Sequence, residues 1–182
     1  MKLTILILGI AAIAIFSYGC LTVETKEYHF HLNADGQSGT GTITFVNIRS
    51  QMEDTVNVSK KDFTSLIEDY LKGDKLEEDS IPALTGAKKR LFEKNGMLCG
   101  EVAFTFNKLE DIGLYRYDSK SPLMYLFESL NEEYDTSNGK YGGKVMPVVF
   151  WSDTSHDLYL TTGVGKDMEN TVSLLPNYNE WK

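Results

Sequence analysis

"AKKRLFEKNGMLCGEVAFTFNKL", residues 87–109, decides the fold class of this chain. Asn95-Gly96 stands between two runs that contain apolar residues, and both members of that pair tolerate the positive φ that a two-residue type I′ hairpin turn requires. Side chains alternate with a period of two along a strand, so Leu98, Gly100, Val102, Phe104 and Phe106 fall on one face of the second run. A helix over 87–94 would leave the turn without its first strand. Both runs therefore read as strands, and the centre of the chain is a β-hairpin.

Alternation continues upstream. In "LTVETKEYHFHLN" it begins near Val23, placing Tyr28, Phe30 and Leu32 on one face and His29, His31 and Asn33 on the other. "ADGQSGTG" is a turn cluster, and "GTITFVNI" resumes the pattern, with Ile43, Phe45 and Asn47 opposite Thr44, Val46 and Ile48. These segments predict a second hairpin with a long loop. Between the hairpins, "SKKDFTSLIEDYLKG" carries Phe63, Leu66, Ile67, Tyr70 and Leu71 at i, i+3, i+4, i+7, i+8 spacing, the apolar face of a helix. Ser59 is its expected N-cap and Gly73 its expected C′ stop. Lys61, Glu68, Asp69 and Lys72 form a solvated opposite face.

From Gly113 onward the sequence is strand-like and aromatic. Pro147 limits its segment to an edge strand or to a strand that starts after it. "KDMENTVSLLPNYNEWK" predicts a short terminal helix ended by Pro176. No fixed-period repeat, low-complexity tract or linker divides the chain. The expected fold class is α+β: a mainly antiparallel, twisted β-sheet with one principal helix packed on it and a short C-terminal helix.

The opening, "MKLTILILGIAAIAIFSYGC", has a basic Lys2 and an apolar run from Leu3 to Phe16, followed by small residues at Ser17 and Gly19 and then Cys20. That is the anatomy of a signal peptide, and the run is short for a helix that crosses a bilayer. A cysteine directly behind it points to lipoprotein processing. Residues 1–19 then form the signal peptide, and residues 20–182 a single exported domain acylated at Cys20. Two or three acyl chains on one cysteine give stable anchoring where one chain does not. Leu21 after the cysteine favours the outer membrane under the sorting rule of enteric bacteria. The competing readings are ordinary secretion, with Ser17 and Gly19 guiding the cut and Cys20 left as a free thiol, and an uncleaved N-terminal anchor.

The chain has 18 basic and 26 acidic residues, a net charge of −8. Such a surface repels phosphate backbones, so nucleic acid is a poor partner. The length suits one domain with a core that needs no staples. If Cys20 is acylated, Cys99 has no disulfide partner, since the chain holds only two cysteines.

The order of short motifs carries a resemblance. A "DGQSGTGT" turn is followed by the helix, a hairpin ending in "FTFNKLED", a "SNG" at Ser137–Gly139, and a strand closing on Trp151 with "DLYL" after it. This layout resembles the LppM-type bacterial lipoproteins. The resemblance implies a β/α fold, an envelope location and a lipid- or envelope-binding role. It brings no catalytic motif, so it assigns no site residue. Members of that group often continue into a C-terminal transmembrane helix, for which the residues up to Lys182 offer no apolar run.

Candidate chemistry is sparse. His29 and His31, at i and i+2 of a strand, point the same way and could share a metal with His156 and Asp153 or Asp157. Otherwise they are simply the solvent face opposite Tyr28 and Phe30. Cys99 has no nucleophile motif around it and reads as a packed thiol. "GVGKD" lacks the elements of a phosphate loop, and "NADGQS" and "DTSNGK" read as hairpin turns rather than calcium loops. Among the many aromatics, Tyr115, Tyr117, Tyr125, Phe127 and Trp151 are candidates for a hydrophobic ligand groove, with core packing as the competing role. No cofactor is expected. The reading is a non-enzymatic, membrane-anchored envelope lipoprotein that binds a hydrophobic ligand or an envelope partner. Its alternatives are a surface lipoprotein acting only through protein contacts, or a metal-dependent hydrolase using His29 and His31. An enclosed apolar cavity would favour a lipid ligand; a filled core with exposed aromatics would favour contacts at the surface.

Overall fold

The computed structural model describes residues 21–53, 55–78, 86–127, 132–164 and 168–182. Cys20 and residues 1–19, which the sequence reading takes as a signal peptide, lie outside the described residues. The strands are β1 (Leu21–Thr22), β2 (Thr25–Leu32), β3 (Gly39–Val46), β4 (Arg49–Gln51), β5 (Lys88–Lys94), β6 (Met97–Phe106) and β7 (Leu114–Tyr115). They continue as β8 (Leu123–Leu126), β9 (Glu133–Ser137), β10 (Lys140–Tyr141), β11 (Val148–Trp151), β12 (Asp157–Gly163) and β13 (Thr171–Ser173). Helix α1 (Ser59–Ser65) runs on as π-helical turns through Leu66–Lys72, α2 is Lys75–Glu78, and α3 is Leu175–Trp181.

The fold is α+β and dominated by antiparallel sheet. The main sheet has the order β5-β6-β3-β2-β12-β9. Asn95 (φ 56°) and Gly96 (φ 74°) make the turn between β5 and β6 in the left-handed conformation that the NG pair announces. The alternation read from sequence places Phe30, Leu32, Ile43, Phe45, Leu98, Val102, Phe104 and Phe106 in the core. Gly41 pairs with Phe30 on one side and Phe104 on the other, and a Cβ there would lie 2.5 Å from the Phe104 ring. Only glycine lets that ring cross the middle of the sheet.

The helix covers this face with Phe63, Leu66, Ile67 and Tyr70. Its ends differ from expectation. Ser59 is the first helical residue, so the N-cap position falls on Val58, and the Ser59 N–H donates to the Asn57 side-chain oxygen at 2.9 Å. Gly73 ends the helix in extended backbone (φ −84°), not in the left-handed stop, where a Cβ would meet the Glu68 and Asp69 carbonyls at 2.7 Å. A second sheet, β1-β4-β13, is tied to the helix by the buried Ser50 hydroxyl, which donates to Asp62 at 2.6 Å. Asn47, with φ 57°, breaks the alternation between β3 and β4, so Phe45 and Ile48, on opposite faces in the sequence pattern, both join the core. Pro176 starts α3 rather than ending it, because proline suits a first helical turn whose N–H groups have no partner.

The largest departure concerns "SNG". Ser137 ends β9 in the main sheet and Lys140 begins β10 in a third sheet of order β10-β11-β8-β7, so this is a crossing between sheets and not a hairpin turn. The Asn138 side-chain oxygen accepts the Tyr159 N–H at 2.8 Å and the Trp151 indole N–H at 2.7 Å, and its amide donates to the Asp157 carbonyl at 2.8 Å. A Cβ on Gly139 would sit 2.7 Å from the Phe150 carbonyl. Pro147 lies just ahead of β11, an internal strand of that third sheet, and so satisfies the second of its two allowed places.

Two outcomes are expected. Asn138→Ala leaves the Trp151 and Tyr159 donors unsatisfied and lowers stability by about 2 kcal/mol in chemical denaturation. In the β2–β3 loop, the Asp35 carboxylate accepts the Ser38 hydroxyl and the Ser38 and Gln37 N–H groups, which hold its pKa down at about 2. A folded pKa below the unfolded one contributes stability that is present above the unfolded value, about 3.9, and is lost as pH falls through the folded value. NMR titration should find the Asp35 midpoint near 2, moving upward in Ser38→Ala.

Candidate interaction face

The third sheet is built from "LMYL" and "VVFW", runs that do not alternate. Its register places Leu123, Tyr125, Val149, Trp151 and Tyr141 on the side that packs against the main sheet. Tyr115, Met124, Leu126, Val148 and Phe150 lie on the other side. That outer side faces solvent: Leu126 is 64% exposed and Tyr115 50%, with Met124, Val148 and Phe150 half-buried. The face runs on into the hairpin 142–147, where Val145 is fully exposed and Met146 48% exposed. Backbone bonds from Gly142 to the Val148 carbonyl (2.8 Å) and from Met146 to the Gly143 carbonyl (3.0 Å) hold this hairpin closed, and Gly143 supplies its positive φ of 100°. The loop thus presents its apolar tip in an ordered form.

The five aromatics singled out in the sequence do not meet in one groove. Trp151 and Phe127 are core residues, 3% and 4% exposed. Tyr125 packs between the sheets, its ring 5.8 Å from Tyr28 and 6.1 Å from Phe30. Only Tyr115 and Tyr117 face outward, Tyr117 at 80%. The apolar cavity between the helix and β5–β6, lined by Val23, Phe45, Ile48, Leu66, Tyr70 and Leu91, measures about 50 Å³. Ligand pockets run from about 300 Å³ upward.

Between the sheets sits a closed polar cluster. Lys26 shares the inner parity of β2 with Tyr28 and Phe30, and its ammonium donates to Glu132 at 2.6 Å. Tyr28 donates to the same carboxylate at 3.1 Å and Thr162 at 2.6 Å. Lys26 and Thr162 are cross-strand partners, so two of the donors come from one rung of the sheet. Burial, then the neighbouring Tyr125 and Glu132, pushes the Tyr28 phenol well above its ordinary pKa; burial and Glu132 push Tyr125 up as well. Both phenols therefore stay neutral at any physiological pH. The Glu132 carboxylate, 12% exposed, accepts from three donors: the Lys26 ammonium and the Tyr28 and Thr162 hydroxyls. The parity of Lys26 was readable in sequence; Glu132 as its partner, 106 residues away, was not.

On the opposite face of the main sheet, His31 meets Asp157 at 2.8 Å and His29 approaches it at 3.5 Å, while His29 stacks on Tyr159 with centroids 4.2 Å apart. The hydrogen bond from His31, joined by that from His29, holds Asp157 below the usual carboxylate range. The two histidines border an open depression of about 320 Å³ with Thr40, Thr42, Lys88 and Thr105. His156 turns away, its Nδ1 3.1 Å from the Leu32 carbonyl, and Asp153 accepts from Ser152 at 3.0 Å. Of the proposed ligand set, His29, His31 and Asp157 meet, whereas His156 and Asp153 do not join them. Among the described residues, no group of three or more His, Cys, Asp or Glu is arranged to hold a metal ion. Cys99 is buried.

The polar cluster gives a stability prediction. Glu132→Ala strands the Lys26 charge and should cost about 3–5 kcal/mol, because an unpaired buried ion is far worse than a buried pair. The double variant Lys26→Met/Glu132→Leu should return to within about 1 kcal/mol of the parent, since apolar replacement of a buried pair is often neutral or better. Denaturant titration of all three proteins checks both.

No described helix is long and apolar enough to cross a membrane. In comparisons with known proteins, no family model matches this chain, and no curated protein or solved structure shows a significant match to it.

Proposed function

We propose that this chain is a lipid-anchored lipoprotein of the bacterial envelope that acts by apolar contact through the outer face of the third sheet, without catalysis and without an internal ligand. The observation that carries this reading is the contrast between the packed interior of the described residues and that face. Among the described residues, the apolar cavity between the helix and β5–β6 measures only about 50 Å³, whereas Leu126, Tyr115, Met146 and Val145 stand exposed beside the half-buried Met124, Val148 and Phe150. Exposed apolar patches of this kind mark interaction sites in exported and soluble proteins alike. The anchor rests on the sequence anatomy around Cys20, the exclusion of an internal lipid on the packing of Phe127 and Trp151. The LppM-type resemblance supports the same compartment and an envelope-binding role.

Mass spectrometry of protein extracted from its host membranes tests both halves. The denatured mass is expected to equal the chain from Cys20 plus acyl groups, and the native spectrum to carry no further mass. An unmodified Cys20 overturns the anchor; a stoichiometric extra mass in the native spectrum overturns the filled interior.

A further inference from the structure

The exposed face has a direction. Trp151, at one end of β11, meets Asn138 beside Tyr159, which pairs with His29. Val149 pairs with Tyr141, whose ring stacks 4.1 Å from Tyr134; Tyr134 pairs with Thr162, and Thr162 with Lys26. Passing from Trp151 to Val149 therefore descends the main sheet from the level of His29 to that of Lys26. The hairpin 142–147 continues in that direction, toward the end where β2 begins at Thr25 and where β1 enters from Leu21. Cys20 is covalently next to Leu21. The apolar tip and the candidate acylation point thus belong to the same end of the domain.

Charge supports one occupant. The chain carries net charge −8, yet the stretches 121–127 and 138–151 contain no acidic residue and two lysines, Lys140 and Lys144. Lys144 is next to Val145 at the tip, and Lys140 pairs with Phe150 on the same sheet. Apolar side chains flanked by lysines suit the boundary between acyl chains and anionic head groups, where lysine stems lie along apolar surface and their ammonium groups reach phosphate.

We infer that Val145 and Met146 enter the bilayer that holds the acylated Cys20, with Lys140 and Lys144 on lipid phosphates, so that the outer face of the third sheet lies against the membrane. This rests on the lipoprotein reading. It adds a second attachment point, which fixes the orientation of the domain and turns the His29–Asp157 face of the main sheet away from the lipid.

The test uses the acylated, processed protein in phosphatidylethanolamine/phosphatidylglycerol vesicles, in a Cys99→Ala background. An environment-sensitive fluorophore is placed at Val145→Cys or, as control, at Thr40→Cys on the far face. Quencher carried on the acyl chains should cut the emission at position 145 by roughly twofold or more and leave position 40 unchanged, as for a residue buried at the acyl boundary. Lys140→Glu/Lys144→Glu should reduce that quenching while the protein still floats with the vesicles. Flotation without quenching at 145 overturns the inference and leaves the anchor standing. A blue-shifted probe that lipid quenchers do not reach assigns the face to a protein, either a second copy or another chain, and also overturns it. A processed chain with no acyl mass that does not float removes the anchor, and the inference with it.

Discussion

Where the chain passes from the main sheet to the third sheet, the side chain of Asn138 takes a backbone N–H from β12 and an indole N–H from β11 and returns a bond to β12. Two sheets that stack face to face share no ladder hydrogen bonds, so their relative placement depends on packing and on the few polar contacts that cross the gap. Asn138 is such a contact, and Gly139 allows it by giving β10 and β11 room to approach. With that junction in place, Tyr125 lies over Tyr28 and Phe30, and Tyr141 stacks on Tyr134.

The same gap explains the buried charges. Toward one end of the stacked sheets Lys26, Tyr28, Thr162 and Glu132 replace the apolar side chains found at the centre. A pair this deep adds little net stability over an apolar substitute, but it penalises any register that parts Lys26 from Glu132. A slip of one residue in β2 would send Lys26 to the outer face and leave the carboxylate without its counter-charge. Its closure by three donors gives it the character of a registration device, in contrast to the open His29–His31–Asp157 group on the exposed face.

Stacking uses one side of the third sheet and leaves the other. Most surface sheets avoid that exposure by alternating polar and apolar residues; here "LMYL" and "VVFW" are apolar on both sides. The polar alternation is kept on the main sheet, whose outer side carries threonines, histidines and charged residues. The described residues therefore present one water-adapted broad face and one apolar broad face, and Lys140 of the third sheet lies on the apolar one.

Much of this was legible from residues alone. The NG turn, the parity of Tyr28, Phe30 and Leu32, and the spacing of Phe63, Leu66, Ile67 and Tyr70 each reflect local backbone geometry, and local geometry is written in neighbouring residues. They determined the two hairpins, the helix and the α+β class; the anatomy around Cys20 carries the anchor reading in the same local way. The non-alternating runs also held a signal, since four consecutive apolar residues cannot all be covered by one packed layer, but which side would be left open depended on a partner sheet that no local pattern names. Pro176 stands in the first turn of α3, and the sequence pattern does not separate that role from the end of a helix, because proline stops a helix from within yet starts one at its first turn. Tertiary structure alone decided that "SNG" crosses between sheets, that Lys26 meets Glu132, that Phe127 and Trp151 are core while Tyr115 and Tyr117 are not, and that the apolar tip shares an end with Leu21. Each of these joins residues far apart in the chain, where the energy of contact belongs to the folded shape and has no trace in either segment by itself.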